Sequence, residues 1–158
     1  MRDPPPAILF VSENLQLGGL TAISLGRLHA SGKIRLKAIW SKAPGRARPP
    51  LGAAEHNALL AARDLSFPEG DHKHALFGSV FIPDYATLAR EIGVPCQAVA
   101  RMNAPAVAAG IKALGIELGI VCGHSQIFHE ATLLAPRRGW INAHPSLLPM
   151  HRGPLPGT

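Results

Sequence analysis

The sequence predicts an α/β domain built on a mostly parallel sheet with helices on both faces. Three observations predict it. Short, continuous apolar runs alternate with helical patterns along the chain, as strands buried between crossover helices do. The joints between them are short and marked by Gly, Pro or Asp. The most sharply defined stretch, Asn142 to Pro156, starts at the end of one apolar run, and open α/β sheets form their clefts at such carboxyl ends of strands. At 158 residues the chain is long enough for one domain with a sizeable core, and 47% apolar content with 15 Pro and 16 Gly describes a globular, loop-rich protein.

Ala7 to Ser12 is a continuous apolar run and the first strand. A turn through Ser12, Glu13 and Asn14 leads to a helix over about Leu17 to Ala30, with Leu17, Leu20, Ile23 and Leu28 as its apolar side and Ser31-Gly32 as its end. Leu36 to Ser41 is the second strand, which completes a βαβ unit. No G-x-G-x-x-G opens that unit, because Gly18-Gly19 come late, so no dinucleotide turn is predicted. A basic, Pro/Gly-rich loop covers Ser41 to Pro50, and Gly52 to Arg63 reads as helix. Asp64 to Phe81 has no clear pattern. Its Asp71-His72-Lys73-His74 cluster lacks partner ligands at metal-site spacing, so no metal centre is expected.

Asp84 is suited to cap a helix over Tyr85 to Ile92, where Tyr85, Leu88, Ala89 and Ile92 share a face and Gly93 marks the stop. Val94 to Val99 reads as a short third strand entered at Pro95. Pro105 fits the first position of the next helix, with Val107, Ile111 and Leu114 toward the core and Gly115 at its end. Leu118 to Cys122 is the fourth strand, Glu130 to Ala135 a short helix stopped by Pro136, and Gly139-Trp140-Ile141 the last apolar run.

Charge and cysteine usage narrow the class. The net charge is +6, and between Glu13 and Glu55 every charged residue is basic: Arg27, Lys33, Arg35, Lys37, Lys42, Arg46 and Arg48. Such a block either steers an anionic partner such as phosphate or nucleic acid, or is a solvated face. No apolar run has the length of a membrane span, and no secretory leader is recognisable behind Met1. Cys96 and Cys122 sit in apolar surroundings without ligand-like spacing, which suits reduced thiols; the expectation is a cytoplasmic protein.

The chemistry concentrates in NAHPSLLPMHRGPLP, residues 142 to 156. On a strand, residues two apart share a face, so Asn142 and His144 point the same way: a neutral donor amide beside a titratable ring. Pro145 ends the strand, and Pro149 with Arg152-Gly153 shapes the loop that follows. This stretch resembles the signature N-x-H-x-S-L-L-P-x-x-[RK]-G of the formyltransferases that use 10-formyltetrahydrofolate. Asn142, His144, Pro145, Ser146, Leu147, Leu148, Pro149, Arg152 and Gly153 all match it.

The resemblance implies a Rossmann-like sheet and transfer of a formyl group from 10-formyltetrahydrofolate, as co-substrate, to an acceptor amine, either on methionyl-tRNA or on a sugar or nucleotide. It makes Asn142 and His144 the catalytic pair. Gly123 to Phe128 is similar to the family segment that grips the pterin, so Ile127 and the backbone of Gln126 and Phe128 are expected to line that slot. His124 stands where an aromatic is usual and Ser125 where Gly is common. Ser146, Leu148 and Pro149 are implied to shape the loop, with Leu148-Pro149 a cis bond, and Arg152 is a candidate anion contact or a surface charge. The Ser41 to Pro50 loop is loosely similar to one that approaches the tRNA acceptor end. The family's third catalytic residue, an aspartate well after the histidine, has no counterpart here, since no acidic residue follows Glu130. Residues 1–158 are therefore expected to be the N-terminal part of a catalytic domain, lacking its final strands and any C-terminal domain, and nearly inactive alone. A deformylase, with water as acceptor, and a non-catalytic folate- or nucleotide-binding module remain the alternatives.

Overall fold

In the computed structural model, residues 3–13, 15–42, 75–77, 80–82 and 84–144 are described. The first strand, β1 (Ala7–Val11), has no exposed side: each of its five residues is at most 2% accessible. A strand so buried needs neighbours on both edges and layers on both faces, and the chain supplies them. β1 pairs in parallel with β2 (Arg35–Ser41) on one edge and with β6 (Leu118–Cys122) on the other. β5 (Cys96–Ala98) extends the sheet beyond β2, and β7 (Trp140–Ala143) extends it beyond β6. The order is β5-β2-β1-β6-β7, all parallel, as the apolar runs predict.

Helices cover both faces. Ile8 and Phe10 of β1 pack with α1 (Leu15–Ala30) and α2 (Tyr85–Ile92), while Leu9 and Val11 face α3 (Pro105–Ala113) and the region of the short α4 (Glu130–Leu133). β2 contributes to both layers despite an irregular spacing. Its register slips at Lys37, so Leu36 and Ile39 fall on the α1 side and Ala38 and Trp40 on the other.

The core side of α1 differs from the expected one. Leu20 and Leu28 are exposed, Ile23 packs against the core as expected, and the buried positions are Leu15, Gly18, Gly19, Ala22, Leu25 and Gly26. Close approach decides this. A Cβ at Gly18 would collide with the Ser12 and Tyr85 hydroxyls, and one at Gly26 would lie 2.7 Å from Ile92 Cδ1. Glycine therefore faces inward at these two close approaches, and Leu20 and Leu28 turn out. Gly18 is a packing glycine at the end of β1.

Other boundaries follow their capping chemistry. Asp84 accepts from the Thr87 N–H at 2.7 Å and caps α2, and Gly93 ends it in the left-handed region at φ 83°. Pro105 opens α3, whose Ile111 is fully buried with Val107 and Leu114 packed beside it. One element escaped the sequence reading. β3 (Ala75–Phe77) and β4 (Val80–Ile82) form a separate antiparallel pair, Phe77 opposite Val80. The signal was there: two apolar triplets separated by Gly78-Ser79, a short-hairpin spacing. The predicted helix Gly52 to Arg63, the loop through Pro50 and the Asp71–His74 cluster lie outside the described residues.

β6 and β7 meet through one close contact. A Cβ on Gly119 would collide with the Trp140 indole, whose ring lies against that glycine across the strand pair. Gly119→Ala is expected to force Trp140 from its seat and lower stability by about 1–3 kcal/mol, the usual cost of overpacking. Urea unfolding of the variant checks it; an unchanged midpoint would contradict this packing.

Candidate active site

The sheet reverses direction of growth between β1 and β6. β1 continues to β2 and β5 on one side, and the chain then returns to β6 and β7 on the other. The carboxyl ends of these strands bound the crevice where ligands bind in open α/β sheets. Here the crevice is a cleft of about 640 Å³ lined by the loop after β6 and the end of β7. His124, Gln126, Ile127 and Phe128 form one wall, and Trp140, Asn142 and His144 stand opposite or below it.

Asn142 lies within β7 opposite Val121 and is exposed, and its side chain has no hydrogen-bond partner among the described residues. His144 follows the strand directly, half-buried, and lines the same cleft. Trp140, two residues before Asn142, forms the floor on that face. Its Nε1–H donates to the Thr132 carbonyl at 2.9 Å, and its ring meets Phe128 edge-on at 4.9 Å. The expected pair and the expected loop thus come together in space. Ser146, Leu148, Pro149 and Arg152, with the Leu148-Pro149 bond, lie outside the described residues.

The loop after β6 is fixed by side chains from elsewhere in the chain. Gln126 spends its amide on the turn after β5: Nε2 donates to the Ala100 carbonyl at 2.7 Å, and Oε1 accepts from the Met102 N–H at 2.9 Å. Asn103 from that turn reciprocates, donating to the Ile127 carbonyl and accepting from the His129 N–H, each at 2.8 Å. These bonds leave the Ile127 side chain 86% exposed over the cleft. They also leave the Ile127 and Phe128 N–H groups without a backbone partner among the described residues.

Glu13 is the residue that sequence reading passed over as part of a turn. Its Oε2 accepts from the Ser125 hydroxyl at 2.6 Å and from the Ser125 N–H at 3.1 Å, and its own N–H donates to the Gly123 carbonyl at 3.1 Å. Its Oε1 stands 3.5 Å from His124 Nε2, with both side chains largely buried. Burial pushes the Glu13 carboxyl up, but the Ser125 hydroxyl and N–H, with His124 and Lys42 nearby, outweigh it and hold the group below its ordinary value. Burial lowers the His124 pKa, and the Glu13 carboxylate only partly opposes this. A carboxylate placed directly after a buried strand, at the ligand end of the sheet, was the available signal.

The described part of the basic block does not gather at the cleft. Arg27, Lys33 and Arg35 fall at the opposite, amino end of β2, and Arg35 is paired with Glu117 at 3.6 Å. Lys42, at the carboxyl end of β2, is the member near Glu13 and His124. Among the described residues no cluster of ligands could hold a metal ion, and no helix is long and apolar enough to cross a membrane. Cys96 and Cys122 form no disulfide among the described residues; Cys122 is buried and Cys96 half-buried.

Comparison with known proteins agrees with this geometry. A model of the formyl transferase family matches residues 71–157, more than half of the chain. The chain belongs to the formyl transferase family. It is similar to the methionyl-tRNA formyltransferase of Clavibacter sepedonicus, 37% identical over 106 residues that make up 67% of this chain and 33% of that relative. It is also similar to the methionyl-tRNA formyltransferase of Herpetosiphon aurantiacus, 34% identical over 76 residues, or 48% of this chain and 25% of that one. The matches thus span between a quarter and a third of these two relatives. The fold matches that of glycinamide ribonucleotide transformylase 1 from Symbiobacterium toebii with a TM-score of 0.56 at 19% identity, over 96% of this chain and 57% of the other.

The pH dependence of this formyl transferase's stability follows from the two shifts. At both Glu13 and His124 the unfolded chain binds protons more readily than the folded one, so acidification favours unfolding. His124 acts first, as pH falls below its ordinary value of 6.5, and Glu13 later, below 4.5. His124→Phe is expected to flatten the loss of stability between about pH 7 and pH 5. Urea titrations of both proteins at several pH values measure it, and parallel curves would contradict the assignment.

Proposed function

We propose that this protein transfers a formyl group from 10-formyltetrahydrofolate to an amine, with residues 1–158 forming the N-terminal part of its catalytic domain. The observation that carries the reading is the Asn142 amide, exposed at the carboxyl end of β7, without a hydrogen-bond partner among the described residues and beside His144 in one cleft. Membership of the formyl transferase family supports it.

Formyl transfer breaks the bond between the formyl carbon and the folate nitrogen and makes one to the incoming amine. A proton leaves the amine and one reaches the folate nitrogen. The carbonyl oxygen gathers negative charge in between, so a site needs a donor aimed at that oxygen and a carrier for the proton. Asn142 supplies a donor that stays neutral at any working pH, and no described residue occupies that donor. His144 supplies the carrier, since one imidazole nitrogen can take up a proton while the other releases one.

The cleft also fits the co-substrate's flat ring. Ile127 projects an apolar side chain over it, Phe128 and Trp140 line it, and the unpaired N–H groups of Ile127 and Phe128 offer the edge donors that a heterocycle requires. For the acceptor, the names of the relatives in Clavibacter sepedonicus and Herpetosiphon aurantiacus favour methionyl-tRNA over a sugar or nucleotide amine.

The test is a single-turnover assay of the full-length protein with 10-formyltetrahydrofolate and either methionyl-tRNA or an amino-sugar nucleotide. Formylation of the tRNA is expected. Asn142→Ala should slow it by about 10²–10³-fold, the usual cost of one oxyanion donor. Its thermal stability should barely move, because the removed amide makes no internal bond. An Asn142→Ala variant as fast as the parent would overturn the role given to Asn142.

A further inference from the structure

We infer that Glu13 is the positioning residue of the cleft: its carboxylate fixes the tautomer of His124 and so the conformation of the loop that receives the formyl donor. The inference rests on the proposed function only for the identity of that donor. The geometry is independent of it.

Glu13 reaches across the switch point from the end of β1 to the end of β6, where its carboxylate meets the loop after β6. Oε2 takes two donors from Ser125, the hydroxyl and the backbone N–H. Oε1 is buried without a hydrogen-bond partner, and His124 Nε2 stands 3.5 Å from it. On the far side of the ring, His124 Nδ1 accepts from the Gln126 N–H at 3.1 Å. A ring whose Nδ1 accepts, and which is neutral, carries its proton on Nε2. That proton faces Glu13 Oε1, so carboxylate and tautomer select each other.

The consequence travels along the loop. The Gln126 N–H is held by the ring, the Gln126 amide by Ala100 and Met102, and the Phe128 ring sits edge-on to His124 at 5.3 Å. The Ile127 and Phe128 groups facing the cleft lie between those anchors. The His124 side chain is only 2% exposed, so it acts on a ligand through the loop and not by touching it.

Replacing the carboxylate by an amide tests this, because an amide cannot satisfy both partners. In Glu13→Gln, the amide oxygen can still accept from Ser125, but its NH₂ then points at the Nε2–H of His124, donor against donor. The ring relieves this by moving its proton to Nδ1, where it meets the Gln126 N–H. Either arrangement disturbs the loop. Glu13→Asp keeps the charge with a shorter reach and serves as the conservative variant.

The experiment uses the full-length protein with ¹⁵N-labelled histidine, His124→Phe to assign the resonances, and calorimetric titration with 5-formyltetrahydrofolate, which does not transfer its formyl group. The parent should show the Nε2–H tautomer at His124. Glu13→Gln should lose it and bind the folate about tenfold more weakly. Glu13→Asp should recover part of both, and the two variants should melt within a few degrees of each other. An Nδ1–H tautomer in the parent, or an unchanged tautomer and affinity in Glu13→Gln, would overturn the inference. A parent with the Nε2–H tautomer and no folate affinity would uphold the tautomer lock, refute its link to donor binding and count against the proposed function.

Discussion

Everything about this cleft depends on the complete burial of β1. Five consecutive residues with no exposed side can be satisfied only by a strand on each edge and a helical layer on each face. Once β2 occupies one edge, the return strand β6 takes the other, and the cleft opens on that return side, at the carboxyl ends of β6 and β7. Ser12 and Glu13, the residues that follow β1 at that point, are accordingly used on opposite sides. The Ser12 hydroxyl accepts from Tyr85 at 2.7 Å beneath α2, and Glu13 crosses to the loop after β6. A single buried strand thus anchors both the scaffold and the site.

From there the order is passed on by small and aromatic residues. Gly119 lets the Trp140 ring lie flat against β6, Trp140 ties back to Thr132 through its indole, and the Thr132 hydroxyl donates in turn to the buried Met102 carbonyl at 2.9 Å. His124, Phe128 and Trp140 stack edge to face in sequence, which joins the clamp at Glu13 to the floor beneath Asn142. One wall of the cleft, the loop after β6, is held by hydrogen bonds to the turn after β5, and the other, the end of β7, ties back to Thr132 through Trp140. That arrangement pre-forms the cleft, and pre-formed donors are what stabilise a developing charge most effectively.

Much of this was legible in the sequence, and the rest was hidden for physical reasons. Strands buried on both faces announce themselves as continuous apolar runs, so β1, β2 and β6 were readable almost to the residue. Caps were equally plain, because Asp84 and Gly93 have no better use than the one they have. The asparagine and histidine of the motif were readable from strand alternation, which needs only their spacing. The core side of α1 was misjudged because hydrophobic size points to Leu20 and Leu28, whereas the approach of Ser12, Tyr85 and Ile92 demands glycine. The place of Glu13 after a buried strand was legible, but its partners were not, because Ser125 lies more than a hundred positions away. Gln126 shows the same limit: a side chain beside a ligand slot can be wholly occupied in holding up the loop.

The most direct measurement is a map of where the formyl donor's folate ring sits. Proton–nitrogen correlation spectra of the protein, recorded while 5-formyltetrahydrofolate is added, report each backbone amide and the Trp140 indole separately. The shifts should concentrate at Ile127, Phe128, Trp140 and Asn142, and leave the opposite end of the sheet, around Lys33, Glu117 and Arg138, unchanged. Shifts confined to that opposite end, or none at saturating folate, would contradict the placement of the donor in this cleft.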